Sequence, residues 1–180
     1  NKLNFFQIIK KEKNIYDISG LNLNANNLVS NLLKDNTDKK NEILKNDIKL
    51  ILNIDEVFID EVYFVKKLKG SVYIQDNKVL NASILANFKN KDNIAFTIYK
   101  DQQGNKITTL TSSWAKPLIN RYKFIEGFED GYLDFRSSKK NDISNSVLII
   151  DNFKVKEIPA LAKLLALASL QGIADLLTGE

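Results

Sequence analysis

Residues 48–54 read IKLILNI. Ile48, Leu50, Leu52 and Ile54 fall on one side of an extended chain, and Lys49, Ile51 and Asn53 on the other. That is the period of two that belongs to a strand. The pattern persists to residue 112. Short runs rich in Ile, Val, Phe, Tyr and Thr alternate with the turn clusters QDNK (75–78), NKDN (90–93) and DQQGN (101–105). This spacing predicts an antiparallel meander with strands near 48–54, 57–65, 70–76, 79–88, 93–100 and 105–112.

Upstream, LNFFQII (3–9) and IYDISGLNL (15–23) read as two short strands joined by the charged KKEK (10–13). NANNLVSNLLKDN (24–36) carries Leu28, Leu32 and Leu33 at helical spacing and reads as a short amphipathic helix. NTDKKNEILKN (36–46) is a polar connector. Downstream, WAKPLINRYKF (114–124) breaks the strand period, and Pro117 suits a first helical turn. Strands resume in EGFEDGYLDFRSS (126–138) and SVLIIDNFKVKEI (146–158). In the latter, alternation predicts Val147, Ile149, Phe153 and Val155 on one face and Leu148 and Ile150 on the other. Several strands thus carry large apolar residues on both sides. An antiparallel sheet with one wet face alternates more cleanly, so both faces are expected to be at least partly covered.

The chain ends on KEIPALAKLLALASLQGIADLLTGE, from Lys156 to Glu180. Pro159 marks a helix start. Leu161, Leu164, Leu165 and Ala168 form one stripe, and Leu170, Ile173, Ala174 and Leu177 a second. Ser169 and Gly172 break the two apart. A membrane helix needs about 20 mostly apolar residues, and Lys163, Gln171 and Asp175 interrupt this run. The segment is read as a leucine-rich helical pair, packed on the sheet or presented to an apolar partner, and not as a transmembrane span. The fold class expected is therefore α+β: a strongly curved antiparallel sheet, a groove or taco-like meander, with short helices. One domain is expected over 1–180. It comprises strands, a helix and a connector (1–46), the meander (47–112), a short helix (113–126), further strands (127–157) and the helical pair (158–178). With Asn1 first and no methionine, the chain reads as a fragment of a longer protein.

The missing residue types restrict the chemistry. With no cysteine there is no disulfide, thiolate ligand or cysteine nucleophile. With no histidine, Ser-His-Asp, Cys-His and HExxH machinery cannot be built within the chain. Ser112, Ser113 and Ser169 have no base to activate them. The acids of DEVFIDE, Asp55, Glu56, Asp60 and Glu61, flank an expected hairpin and read as solvated rather than as a glycosidase pair. No Walker A or GxGxxG sequence is present, and no EF-hand spacing. No catalytic, metal or cofactor site is expected, and the chain is read as non-enzymatic. The net charge of +4 comes from lysines interleaved with acids, which does not predict a nucleic-acid partner and leaves at most a weak attraction to anionic headgroups. Trp114, the one tryptophan, is expected to anchor the core or a helix start.

IIDNFKVKEIPALAKLLALASLQGIADLLTGE (149–180) resembles the AsmA-like family, in particular its YhdP-type branch. There a strand leads to a proline, a leucine-rich helix, an Ala-Ser-Leu-x-Gly step and Asp-Leu-Leu-x-Gly-Glu. Pro159, Leu161, Leu164, Leu165, Ala168, Ser169, Leu170, Gly172, Asp175, Leu176, Leu177, Gly179 and Glu180 occur here in that order. WAKPLINRYKFIEGFEDGYLDF (114–135) is similar to the family's short helix before a glycine-bearing strand. The resemblance implies a segment of a cell-envelope protein, periplasmic and anchored through the whole protein in the inner membrane. Its apolar groove would carry phospholipid passively toward the outer membrane, in contact with other envelope proteins. Pro159, Leu161, Leu164, Leu165, Ser169, Leu170, Gly172, Ile173, Asp175, Leu176 and Leu177 are then the candidate lipid-contact or family-motif residues. The alternative is a non-enzymatic scaffold or interaction domain with an ordinary filled core.

Overall fold

A computed structural model describes residues 4–26, 47–76, 78–88, 92–121, 127–141 and 143–156. They form nine strands: β1 Phe5–Glu12, β2 Ile15–Asn24, β3 Ile48–Phe58, β4 Phe64–Gln75, β5 Lys78–Asn87, β6 Asn93–Lys100, β7 Lys106–Ser112, β8 Phe128–Lys140 and β9 Ile143–Val155. One short helix, α1 (Lys116–Arg121), lies between β7 and β8. All nine strands lie in one sheet, in sequence order.

This corrects the expected α+β class. The described chain is a nearly all-β, single-sheet fold, and its helix is six residues long. The expected helical pair over 158–178 lies outside the described residues, as does residue 27 onward of the helix read into 24–36, whose first residue, Asn24, ends β2 instead. The sheet is also mixed rather than antiparallel, because β2 pairs β3 in parallel, with Ile18 opposite Leu52. Parallel neighbours need a crossover of a dozen residues or more, and residues 25–47 supply that length. Every other neighbouring pair is antiparallel, starting with β1 and β2. β5, β6 and β7 coincide with the strands expected at 79–88, 93–100 and 105–112. The strands expected at 48–54, 57–65 and 70–76 resolve into two longer ones, and the β3–β4 turn falls inside the expected middle one. The charged stretches read as breaks, Asp55–Glu56 and Lys66–Lys69, stay in the ladder, where Glu56 pairs Lys66 at 3.2 Å.

Short polar residues make the turns. Asp60 Oδ1 accepts from Val62 N–H (2.7 Å) and Tyr63 N–H (2.6 Å) between β3 and β4. Asp101 does the same between β6 and β7, accepting from Gln103 and Asn105. Asn14, Asp76 and Asn141 take positive φ at the β1–β2, β4–β5 and β8–β9 hairpins, a conformation Asn and Asp tolerate best after glycine.

Register assigns each strand an inner and an outer face. Leu50, Leu52 and Ile54 of β3 stand opposite Val72, Gly70 and Leu68 of β4. Val72 and Gly70 stand opposite Ala82 and Ile84 of β5, and these opposite Ile98 and Phe96 of β6. The same face continues through Thr108 and Leu110 of β7, Ser137 and Phe135 of β8, and Ser146 and Leu148 of β9. Positive φ at Lys67 and Asn152 shifts the alternation. Beyond Asn152, Phe153 and Val155 therefore join Leu148 and Ile150 against one core cluster, while Val147 and Ile149 are exposed. The grouping expected for β9 is thus corrected. The outer face is exposed at Ile51, Leu85 and Tyr99, but Ile107 of β7, opposite Tyr99, is buried, so this face is covered only in part.

The segment between β7 and β8 shows that the sheet curls. Ala115 N–H donates to Gly131 O at 2.7 Å, and Ala115 and Ile119 pack with Phe128, Leu133 and Phe135. One residue before, Trp114 packs against the cluster of Ile54, Val57, Val65, Ala86 and Phe88. Asn120 Nδ2 donates to Tyr63 Oη at 3.2 Å, and Arg121 donates to Asn26 Oδ1 (3.0 Å) and to Ile59 O. In a flat sheet, β4 and β8 would stand about 19 Å apart at the usual spacing. One short segment reaches both because their shared face is concave.

Glycines permit the tight corners. A Cβ on Gly70 would lie 2.2 Å from Ser83 O, and one on Gly20 2.4 Å from Phe5 O, so neighbouring backbones occupy the space a side chain would need. Gly70→Ala is expected to lower stability by about 1–3 kcal/mol, the usual cost of overpacking. Urea unfolding followed by Trp114 fluorescence reads this directly, and an unchanged midpoint would refute the corner assignment.

Candidate functional site

The concave face differs along its length. At the end where β3, β5, β7 and β9 finish, it is filled. Phe88, Phe128, Ile54 and Ile119 are fully buried there. Trp114, itself half-buried, meets Tyr63 and Phe88 edge-on at 5.6 and 5.4 Å, and Phe128 stacks on Phe153 at 5.3 Å. Such ring pairs add about 0.5–1.5 kcal/mol each beyond area burial. Trp114 is thus a packing anchor of the core. On the rim, Lys116 (2.5 Å) and Lys156 (3.1 Å) pair with Glu129.

Away from that end, across β3–β6, the inner face stays apolar and part of it is less covered, although Ala82 and Ile98 are buried. Leu50, Leu52, Val72, Ile74, Ile84 and Phe96 are half-buried. None of them belongs to either of the two core clusters of the described residues. They form a continuous strip across β3 to β6.

Across β6–β9 the inner face is graded. The cross-strand sets, rung by rung, are Ile94–Ser112–Leu133–Ile150, Phe96–Leu110–Phe135–Leu148, Ile98–Thr108–Ser137–Ser146 and Lys100–Lys106–Lys139–Ser144. The face therefore runs from apolar through hydroxyl-bearing to cationic over six residues of strand, about 20 Å. Ser137 Oγ lies 3.0 Å from Ser144 Oγ and accepts from Ser146 Oγ at 2.9 Å. Thr108 is fully buried, and its Oγ1 has no hydrogen-bond partner among the described residues. A buried hydroxyl left so costs about 1–3 kcal/mol. Burial, then the proximity of Lys139 and Lys78, holds the Lys106 ammonium below the ordinary lysine range.

None of the expected contact residues between Pro159 and Leu177 lies within the described residues. The graded face was missed by sequence reading. Its lysines are 6 and 33 positions apart, and only the register aligns them. Of the DEVFIDE acids, Asp60 caps the hairpin and Glu56 pairs Lys66. Among the described residues no helix is long and apolar enough to cross a membrane. No protein-family model, curated protein or solved structure matches the chain.

The hydrogen bond from Lys116, then that from Lys156, holds the Glu129 carboxyl below its ordinary 4.5. The same bond raises Lys116 above 10.5, against the opposing effect of burial. The stabilisation is therefore complete above the ordinary glutamate range, is lost as pH falls through the lowered folded value, and is lost again above about 10.5. Glu129→Gln should melt below wild type near neutral pH, and the two Tm curves should converge as the solution is acidified. Parallel curves across that range would remove Glu129 from the rim's pH response.

Proposed function

We propose that this chain is a segment of an AsmA-like cell-envelope protein whose concave apolar face carries phospholipid passively between inner and outer membranes. The whole protein would be periplasmic and held in the inner membrane. The role is non-enzymatic: acyl chains are shielded while headgroups stay wet. The observation that carries this reading is the half-buried strip of Leu50, Leu52, Val72, Ile74, Ile84 and Phe96 on the inner face of a curled sheet, outside both core clusters. Each acyl methylene moved from water to such a surface gains about 0.8 kcal/mol. A continuous strip repeats that gain at successive positions, so a chain can slide along it without meeting a high barrier. The likeness of residues 149–180 to the family's C-terminal signature supports the same reading.

The chain purified from a lipid-rich host without detergent should carry phospholipid in native mass spectrometry. Phe96→Glu, which sets a charge in the strip, should lose most of that lipid. Ser83→Glu, at an exposed outer-face position on β5, should retain it. If wild type carries no lipid, or if Phe96→Glu folds normally by circular dichroism and carries as much, the face is ordinary core and the scaffold reading replaces this one.

A further inference from the structure

We propose that this chain pairs with a second copy of itself through β1, antiparallel, about a two-fold axis at Gln7. Phe5 of each copy then stands opposite Ile9 of the other, and Phe6 opposite Ile8. The inference does not depend on lipid carriage, since it concerns the edge of the sheet and not what its concave face holds.

The first argument is what the edge exposes. β1 ends the strand order of the described residues. All eight of its residues are exposed, Phe5 at 67% and Ile8 at 59%. An edge strand also presents a row of unpaired N–H and C=O groups. A bilayer would cover the side chains and leave that backbone unsatisfied, whereas another strand satisfies both. The edge is regular enough to take one. Phe6 to Lys10 pair with β2 without a shift of register, and the two irregularities of the β1–β2 ladder lie outside that stretch. Asn4 Oδ1 accepts from Asn24 N–H at 2.6 Å, which ties the start of β1 to the end of β2.

The second argument is self-complementarity. FFQII (5–9) has two apolar residues on each side of Gln7, so an antiparallel copy centred there meets apolar side chains at every rung but the central one. The faces agree as well. Phe6 and Ile8 stand opposite Gly20 and Ile18, on the concave side, and Phe5, Gln7 and Ile9 alternate to the outer side. A two-fold axis normal to the sheet keeps each residue on its own side, so the two concave faces join. Lys10, Lys11 and Glu12 fall beyond the last apolar rung, at opposite ends in the two copies. Moving the centre to Ile8 would set Phe6 against Lys10 and Phe5 against Lys11. Parallel pairing in register would set Lys10 against Lys10, and like charges directly opposite disfavour a ladder.

The third argument separates β1 from the other edge. β9 carries Ser144, Asn145 and Ser146 before its apolar run and Asp151–Asn152 after it, with positive φ at Asn152. Polar residues and a local kink blunt an edge against pairing. A head-to-tail contact between β9 of one copy and β1 of the next would also build an open filament, whereas β1 against β1 closes as a two-fold dimer, the commonest assembly.

The test is sedimentation equilibrium of the full 180-residue chain without lipid or detergent. Wild type should form a species of twice 20.5 kDa whose share rises with concentration. The double variant Phe5→Lys, Ile9→Lys sets lysine against lysine at both outer apolar rungs and should associate about tenfold or more weakly. Phe5→Lys, Ile9→Glu changes the same two exposed positions but sets lysine against glutamate, and should associate about tenfold more tightly than the first variant. Val147→Lys, on β9, should match wild type. The chain has no cysteine, so Gln7→Cys carries a single thiol, which a short bis-maleimide should link to its copy. Glu12→Cys, about 34 Å from its copy at 3.4 Å per residue, should stay unlinked. A wild type that is monomeric at every concentration, equal association of the two double variants, or loss of the dimer in Val147→Lys would each overturn the inference. Linking through Glu12→Cys and not Gln7→Cys would overturn the register on which it stands. A monomer that binds phosphatidylglycerol vesicles, and loses them on Phe5→Lys, Ile9→Lys, would make a membrane the occupant of the edge instead.

Discussion

The curl of the sheet depends on one short stretch, residues 113–121, which holds two flanks of the same sheet at once. An open sheet of nine strands accumulates twist until it splits, flattens or curls. Here Trp114 is fixed to the β2–β5 flank, while Ala115 and Ile119 are fixed to β7–β9. The two attachments are a few residues apart, so the flanks cannot separate without breaking one of the two clusters. Arg121 extends the hold to Asn26 and Ile59 O, at the ends of β2 and β3. The glycine corners lower the cost of bending, since at Gly20 and Gly70 the next backbone occupies the place of the missing Cβ. Curvature in this fold is thus fixed by side-chain packing at one end and permitted by missing side chains elsewhere.

This arrangement explains why one face has two characters. Around the clasp, aromatic and aliphatic groups meet from both flanks and exclude water. Farther from it Leu50, Leu52, Val72, Ile74, Ile84 and Phe96 of β3–β6 remain half-buried, while Ala82, Ile98, Thr108 and Ser137 on the same face are buried. A sandwich would have covered them with a second sheet. A single curled sheet instead leaves a strip whose exposure is set by how wide the curl opens.

Much of the strand pattern could be read from the sequence, because turn residues and alternation are local. QDNK, NKDN and DQQGN mark real hairpins, and β5–β7 fall where the spacing put them. The errors came from features that are not local. Charges at Asp55–Glu56 and Lys66–Lys69 resembled breaks, yet they stand in the ladder, where Glu56 finds Lys66. The face shift in β9 depends on positive φ at Asn152, which an Asp-Asn step inside an apolar run announces only weakly. The parallel pairing of β2 with β3 depends on where the chain returns after residues 25–47, and alternation within either strand is the same for both pairings. The candidate site was less legible than the fold. Lysines at 100, 106 and 139 read as scattered solvated charge, and hairpin register is what turns them into one row.

The two sheet edges bear on how such a strip could be continuous. Every residue of β1 is exposed, with Phe5 at 67% and Ile8 at 59%. On β9, Val147 is 60% and Ile143 70% exposed. An uncovered apolar edge is an aggregation hazard that isolated domains blunt with charge or a covering loop. Here the charge is confined to one end of β1, at Lys10–Glu12, and the Phe5–Ile9 stretch is exposed among the described residues. Both edges carry apolar side chains on both faces, as strands inside a sheet do. The inner-face residues Phe6 and Ile8 lie level with Gly20 and Ile18, so the apolar strip reaches the β1 edge at full width. A strand added there with the same alternation would lengthen the strip while hiding the bare edge, and a trough built this way can extend without changing its cross-section.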